Sequence, residues 1–333
     1  MKGRQANLFL LVIVPLAALS GAVMFLLGSG PVWPVAVLHG AVGLAVLVLT
    51  PWKSVVVRRG LRRTRRRGSG TSLALTGVVV LALGTGLAHV DGALLADSPV
   101  TTMQLHVGAG ILALVLLLAH ARRRRVRVRR AEASRRTLLR VALVGLAAGV
   151  LDAGVRTAGA LATPRGLRRP TGSFRLGSST VAAIPTTSWL FDRAPEIAPQ
   201  SWRLTVVADD GSTRAWSLDE LRRWDDRQTA VLDCTGGWWT EQEWSGVRLA
   251  RLFPVGTTGT VEVLSATGYV RRLPLTDDLL LATAVGGTPL SVGHGAPARL
   301  VVPGRRGYHW VKWVVRISHD DRPWWVEPPF PLQ

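Results

Sequence analysis

One cysteine and two histidines stand in contexts that suit metal binding. Cys234 is the single cysteine among 333 residues, and it follows an apolar segment and precedes Gly236 and Gly237. A thiolate on a loop after a strand is a soft ligand for a transition metal, and glycines let the backbone approach the metal closely. A free cysteine is otherwise most often a small buried hydrophobic residue. The residues around Cys234 must therefore distinguish a metal ligand from a core residue.

His39 and His106 lie 67 residues apart in two similar apolar segments, 37–49 and 104–116. Both segments continue into Arg-rich sequence, which suggests a duplicated helical hairpin and a four-helix bundle. Two imidazoles at the same depth of such a bundle can bind one b-type haem axially. The alternative is that both histidines are polar residues that pack helices together, beside glycines that allow close approach.

The elements that would carry these histidines are apolar segments long enough to cross about 30 Å of hydrocarbon. They run over 7–29, 33–50, 71–90, 103–120 and 137–162. We therefore expect the lipid bilayer to be one partner of this chain.

Charge is distributed very unevenly along the chain. The net charge of +20 comes mostly from Arg-rich runs in 51–70 and 121–136, whereas 164–333 holds 20 basic and 17 acidic residues. Basic runs beside membrane segments indicate cytoplasmic loops, and they do not indicate a nucleic-acid partner. The pattern predicts a multi-pass protein of the cell membrane, with a cytoplasmic N-terminus and an extracytoplasmic C-terminal domain.

The fifth apolar segment carries a further signal. Residues 134–140, Ser-Arg-Arg-Thr-Leu-Leu-Arg, are similar to the twin-arginine export signal, which serves domains that fold before export. Residues 160–162, Ala-Leu-Ala, are similar to a cleavage site. We expect the segment to be retained as a tether, although the sequence leaves cleavage open.

The expected fold class is an N-terminal all-α membrane bundle of 4+1 transmembrane helices, followed by a mixed α+β domain. The predicted domains are 1–130, 131–163 and 164–333. In the last, strands are predicted near 202–208, 213–217, 228–233, 260–265, 268–273, 298–303 and 309–318, with helices over 218–224, 247–253 and 276–284. Ser217 and Glu220 form a capping-box pattern at the start of the first helix.

Several motifs of the C-terminal half carry a family resemblance. They are 229–238 (Thr-Ala-Val-Leu-Asp-Cys-Thr-Gly-Gly-Trp), 244–249, 266–269, 294–303 (His-Gly-Ala-Pro-Ala-Arg-Leu-Val-Val-Pro), 307–308 and 311–313. In order and spacing this set resembles the molybdopterin domain of the family that includes sulfite oxidases and periplasmic methionine-sulfoxide reductase catalytic subunits. It resembles a membrane-anchored form of that family, fused to a cytochrome-b-like bundle.

The resemblance implies a site. Cys234 would be the thiolate ligand of a molybdenum–molybdopterin cofactor. The residues at the family's cofactor contacts are Thr186, Trp189, Thr267, His294, Arg299, Trp310, Val311 and Lys312. Arg299 and Lys312 suit the pterin phosphate because guanidinium and ammonium groups bind phosphate oxygens.

The resemblance also implies an oxidoreductase that carries out two-electron oxygen-atom transfer. Sulfoxide-type reduction of a small-molecule or protein substrate is the leading expectation, with electrons from the quinone pool or another electron-transfer partner. Sulfite oxidation stays open as an alternative, for which Arg271, Arg272, Arg305 and Arg306 are available as anion ligands. A metal-free, membrane-anchored binding or scaffold domain is the alternative from another class.

Overall fold

The computed structural model describes residues 3–28, 32–63, 69–90, 100–123, 134–162, 168–178, 180–187 and 193–328. The chain divides into two compact units, Met1–Phe174 and Arg175–Gln333. The first unit is helical, and the second is built mainly from strands.

Five of the described helices are long and apolar enough to cross a membrane. They are α1 (Gly3–Leu26), α2 (Val32–Arg63), α3 (Ser69–Val90), α4 (Thr102–Arg123) and α5 (Arg135–Ala162). Each overlaps one of the five predicted apolar segments. Large apolar side chains such as Val12, Val80 and Ile111 are exposed on these helices, which is compatible with contact to lipid.

Helix α1 packs against α2, α3 packs against α4, and α5 packs against α2. The contact between α5 and α2 is close because Gly40 has no side chain, and a Cβ atom there would collide with the Asp152 carboxylate. Asp152 forms an i,i+4 ion pair with Arg156, at 2.6 Å. Arg156 also donates a hydrogen bond to the carbonyl of Ala36, so the charges on α5 are satisfied within the bundle.

The second part of the chain forms two sheets. Its strands are β1 (Phe174–Arg175), β2 (Arg203–Val207), β3 (Thr213–Ser217), β4 (Asp226–Asp233), β5 (Trp238–Arg248), β6 (Thr260–Ser265), β7 (Val270–Pro274), β8 (Leu280–Val285), β9 (Thr288–Pro289), β10 (Arg299–Val301) and β11 (Val314–Asp320). One sheet has the order β1-β5-β8-β10, with β4 added to β5 and β9 to β8. The other has the order β3-β2-β11-β6-β7, in which β2 and β11 are parallel.

Both sheets contribute to one hydrophobic core. Side chains from both sheets, including Leu204, Val263, Leu281, Leu300 and Ile317, are fully buried in the same cluster. Trp244 and Trp310 are buried in this core with their ring centroids 5.4 Å apart, within the usual range for an aromatic pair.

Two of the predicted helices are wrong. Residues 276–284 were expected to be helical, but β8 occupies Leu280–Val285 in the middle of its sheet. In place of a helix over 247–253, β5 continues to Arg248 and only a single 3-10 turn follows, Leu249–Leu252. The first predicted helix is confirmed as α6 (Leu218–Arg222) with its capping box.

Candidate functional site

Cys234 lies in the turn between β4 and β5. The turn is closed by a hydrogen bond from the Cys234 N–H to the Trp238 carbonyl (2.8 Å) and by one from the Gly237 N–H to the Cys234 carbonyl (3.2 Å). Gly237 has φ +90°, a conformation that favours glycine. The N–H of Gly236 points at the Cys234 sulfur, 3.4 Å away. The sequence after the cysteine therefore bends the backbone around its sulfur.

A buried ion pair holds this turn against a second loop. Arg306 donates to Asp233 at 2.5 Å, and both side chains are almost completely buried. Arg306 also donates to the carbonyl of Cys234 (3.4 Å), and a parallel bridge joins Asp233 to Arg306. A Cβ atom at Gly307 would lie 3.1 Å from Cα of Cys234, so glycine permits this close approach.

The Cys234 turn opens into a cleft that holds about 680 Å³ of empty space, including its open mouth. Cys234, His294, Arg299, Trp310, Val311 and Lys312, all predicted as site residues, line this cleft. Its other walls include Thr187, Trp238, Tyr269, Tyr308 and Trp313. The structure thus brings six of the predicted residues together around one thiol.

Arg299 and Lys312 bring positive charge to the cleft. Lys312 donates to the backbone carbonyls of Thr187 (2.9 Å) and Gly293 (2.6 Å). Arg299 donates to the carbonyl of His294, but its buried Nε has no hydrogen-bond partner in the described part of the chain. Burial lowers the pKa of Arg299 to about 10, and the nearby Cys234 opposes that shift. An anionic group would supply the missing partner for this cation.

His294 is held from both sides of its ring. Nδ1 pairs with the Ser291 hydroxyl at 2.8 Å, and Nε2 lies 3.1 Å from the carbonyl of Ile184. Burial lowers the pKa of His294. The neutral ring is therefore favoured in the cleft wall.

The remaining predicted cofactor residues lie at the margin of this site or outside the description. Thr186 packs against Gly293, where a Cβ atom would lie 2.8 Å from its hydroxyl oxygen. The Thr267 hydroxyl lies 3.1 Å from that of Ser265, which lines the cleft. Trp189 lies outside the described residues.

The arginines considered as ligands for an anionic substrate are engaged elsewhere. Arg271 pairs with buried Glu327 at 3.0 Å, and Arg306 pairs with Asp233. Arg272 pairs with Glu262 and Asp320, and Arg305 stacks over the Trp324 ring at 4.7 Å. These four arginines, available as anion ligands for sulfite oxidation, therefore have other partners in the described part of the chain.

Within the helical unit, His39 and His106 come together. Their ring centroids are 5.8 Å apart, and the rings are nearly perpendicular. Nδ1 of His39 lies 3.1 Å from the carbonyl of Ala17 on α1, and Nδ1 of His106 lies 2.8 Å from that of Ala82 on α3. These contacts leave Nε2 of each ring for a metal, and a carbonyl on the opposite nitrogen is the usual support of a metal-binding histidine.

Helices α1 and α3 contact the two histidines in the same way, because each has a glycine facing the imidazole ring. Four residues after each carbonyl stands a glycine, Gly21 or Gly86, whose added Cβ would lie 3.0 Å from the facing imidazole. A third histidine of the helical unit, His89, uses Nδ1 for Thr102 and Nε2 for the carbonyl of Gly172. His39 and His106, and not His89, therefore present the matched pair.

Known families and proteins match the second unit. Residues 192–325 match the family model described as "Oxidoreductase molybdopterin binding domain". The chain is 30% identical over 171 residues to sulfite oxidase of Gallus gallus, which covers 39% of this chain and 37% of that protein. It is 26% identical over 167 residues to the protein-methionine-sulfoxide reductase catalytic subunit of Burkholderia mallei, covering 41% and 48%.

A solved structure also matches, the sulfane dehydrogenase SoxCD from Paracoccus pantotrophus. It is 28% identical, covers 39% of this chain and 40% of that one, and has a TM-score of 0.36. The chain thus spans less than half the length of each of these matched proteins.

Proposed function

We propose that this chain, whose residues 192–325 form a molybdopterin-binding oxidoreductase domain, carries out oxygen-atom transfer outside the cytoplasmic membrane. The observation that carries the proposal is the convergence of one thiol, Cys234, with two cations, Arg299 and Lys312, in a single cleft. A bound molybdenum–molybdopterin supplies two-electron oxygen-atom transfer chemistry. The chain supplies the thiolate ligand of the metal, the groups that orient the cofactor and the walls of the cleft.

Each cleft residue fits a part of that cofactor. The Cys234 sulfur is the soft ligand for the metal. Arg299, with its unpaired Nε, and Lys312 are suited to the anionic phosphate. His294 is fixed in the cleft wall by its contact with the Ile184 carbonyl. Trp310 and Val311 form the wall beside these groups and can contact the pterin through backbone atoms.

The substrate best supported by the cleft is a neutral sulfoxide. Beside the thiol the walls are aromatic side chains such as Trp238 and Tyr308, which suit an organic group better than a small anion. The similarity to a methionine-sulfoxide reductase subunit supports the same class. In the reaction the sulfur–oxygen bond breaks, two electrons and two protons are consumed, and a sulfide and water are formed.

The electrons would come from the membrane. The paired His39 and His106 rings support a b-type haem held between α2 and α4, as the duplicated hairpin suggested. A quinol would supply two electrons and two protons and leave as quinone. The two Arg-rich runs and the twin-arginine-like residues support a cytoplasmic N-terminus and an exported C-terminal domain.

Sulfite oxidation at the same site is the second candidate. Sulfite oxidases are among the matched proteins, which supports this candidate. The internal pairing of Arg271, Arg272 and Arg306 argues against a dedicated sulfite pocket, because such a pocket needs several converging donors.

Metal analysis of the purified chain tests the proposal. We expect about one molybdenum and one pterin per wild-type chain, sulfoxide reduction with an artificial electron donor, and loss of that activity in Cys234→Ala. Ser212→Ala, on an exposed turn away from the cleft, serves as the matched control. Wild-type protein without molybdenum, from a host that makes the pterin, would contradict the enzyme proposal.

A visible spectrum tests the haem separately. We expect a reduced-haem band in wild type that is lost in His39→Ala and in His106→Ala but kept in His89→Ala, since both nitrogens of His89 already have partners. A spectrum without haem in wild type would remove the electron-supply proposal and leave the molybdenum site unaffected.

A further inference from the structure

Three polar atoms converge beside Gly236. A Cβ atom built there would lie 3.5 Å from each of the Cys234 sulfur, the Thr187 hydroxyl oxygen and the Trp238 indole nitrogen. The indole nitrogen and the hydroxyl oxygen are 3.1 Å apart and hydrogen-bonded. Burial raises the pKa of Cys234, whereas hydrogen bonding from the Thr187 side chain acts to lower it. The sulfur, the Thr187 hydroxyl and the Trp238 indole nitrogen thus lie together beside Gly236.

The direction of these hydrogen bonds follows from the groups. An indole N–H can only donate, so the Thr187 oxygen must accept from Trp238. The hydroxyl proton of Thr187 then remains available for the next group, and the metal-ligating form of Cys234 is a thiolate, which can only accept. The sulfur already accepts from the Gly236 N–H, and as a thiolate it can accept a second hydrogen bond from the Thr187 hydroxyl.

Trp238 and Thr187 are well fixed for this role. Trp238 is buried at the start of β5, where its own carbonyl closes the Cys234 turn. The Thr187 backbone carbonyl accepts from Lys312, which holds that loop in the cleft wall. A hydroxyl that is oriented in this way donates without a large entropic cost.

We propose that Thr187, oriented by Trp238, donates a hydrogen bond to the Cys234 thiolate and thereby sets how strongly this sulfur donates electrons to the bound metal. The proposal rests on the proposed molybdenum function. A hydrogen bond to a ligand sulfur withdraws electron density from it, which favours the reduced metal and raises the midpoint potential. Thr187 is thus a positioning residue that acts through the ligand.

The test compares Thr187→Val with Thr187→Ser in the full-length, metal-loaded protein. Valine keeps the shape and removes the hydroxyl, whereas serine keeps the hydroxyl and removes the methyl group. We expect Thr187→Val to lower the molybdenum midpoint potential and move the thiolate-to-metal charge-transfer band to longer wavelength. Thr187→Ser should stay near wild type. Thr205→Val, a hydroxyl deletion on β2 in the other sheet, is the control for the substitution itself.

Trp238→Phe provides a second measurement should Thr187→Val load poorly. It removes the indole N–H and should shift the potential in the same direction by less. Full molybdenum content with an unchanged potential and spectrum in Thr187→Val would overturn the proposal, as would an equal shift in Thr187→Ser. Absence of molybdenum from the wild type would instead show that the underlying enzyme proposal fails.

Discussion

At the scale of single residues, the Cys234 thiol lies in surroundings that oppose its ionisation. Burial raises the pKa of Cys234, while the Gly236 N–H and the charges of Arg306 and Lys312 act in the opposite direction. A bound metal cation reverses this balance because it deprotonates a coordinating thiol outright. These surroundings fit the proposed metal-bound sulfur better than a free, reactive thiolate.

The first prediction concerns Arg306. Arg306→Met removes the ion-pair partner of the buried Asp233 carboxylate, so the C-terminal unit should lose about 3–5 kcal/mol of unfolding free energy. Urea unfolding followed by tryptophan fluorescence reports this loss, because eleven of the thirteen tryptophans lie at or after Trp189.

Arg305→Met is the matched control for Arg306. It removes only a cation–π contact with Trp324 and should cost about 0.5–1 kcal/mol. Asp233→Asn in the Arg306→Met background should recover part of the loss, because it removes the buried charge that Arg306 neutralises in the wild type. Equal costs for the two arginine substitutions would contradict this account of the ion pair.

The second prediction concerns pH. Burial, helped by the Arg271 and Arg305 charges, lowers the pKa of His309 to about 3, and its Nδ1 has no partner among the described residues. The unfolded chain takes up this proton near pH 6.5 and the folded chain does not. Stability should therefore be complete above pH 6.5 and fall, by up to about 1.4 kcal/mol per pH unit, as the pH drops towards 3.

His309→Gln removes this titrating group and should flatten the decline. The comparison is made on unfolding free energies of both proteins between pH 7 and pH 4. A wild-type slope that the substitution does not change would assign the acid sensitivity to other groups.

The site residues show how far sequence reasoning reaches. Cys234, Arg299 and Lys312 were predicted from the motifs that carry the family resemblance, and all three line the cleft. Thr187, the neighbour of the predicted Thr186, also lines the cleft, but no motif in the sequence singles it out. The pairing of Arg306 with Asp233 was missed as well, because nothing local in either segment indicates that the two loops meet.

At the scale of elements, local chemistry was predictable and buried strands were not. The capping box of α6 is readable from Ser217 and Glu220, whose groups bond reciprocally as expected. The run Leu279-Leu280-Leu281-Ala282 has no alternation because β8 is buried on both faces, and such a run fits a helix equally well. The context of the sheet decides between the two.

The third prediction tests the contact between β5 and β8. The pairing shifts register between Ser245 and Gly246, and a Cβ atom at Gly246 would collide with the carbonyl oxygen of Leu281. Gly246→Ala should cost about 3 kcal/mol of unfolding free energy, at the upper end of the overpacking range. Ser245→Ala adds no atom and should change the unfolding free energy little. An equally small loss for Gly246→Ala would mean that β5 and β8 can move apart at this position.

At the scale of the whole molecule, the orientation in the membrane is the property to test. Ser212→Cys places a thiol on the exposed turn between β2 and β3. A membrane-impermeant thiol reagent added to intact cells should label this variant and leave the wild type, whose one cysteine is half-buried, much less labelled. Labelling only after cell lysis would place the C-terminal domain in the cytoplasm.

The glycine on which α5 packs has a consequence for the symmetry of the bundle. Each hairpin contains a histidine, a backbone carbonyl that contacts its ring and a glycine that faces the ring. Exact two-fold symmetry of the bundle would therefore give a fifth helix two equal surfaces to pack against. The residue after His39 is Gly40, but the residue after His106 is Val107. Only the glycine admits the Asp152 carboxylate, so the residue after the histidine determines which of the two hairpins α5 packs against.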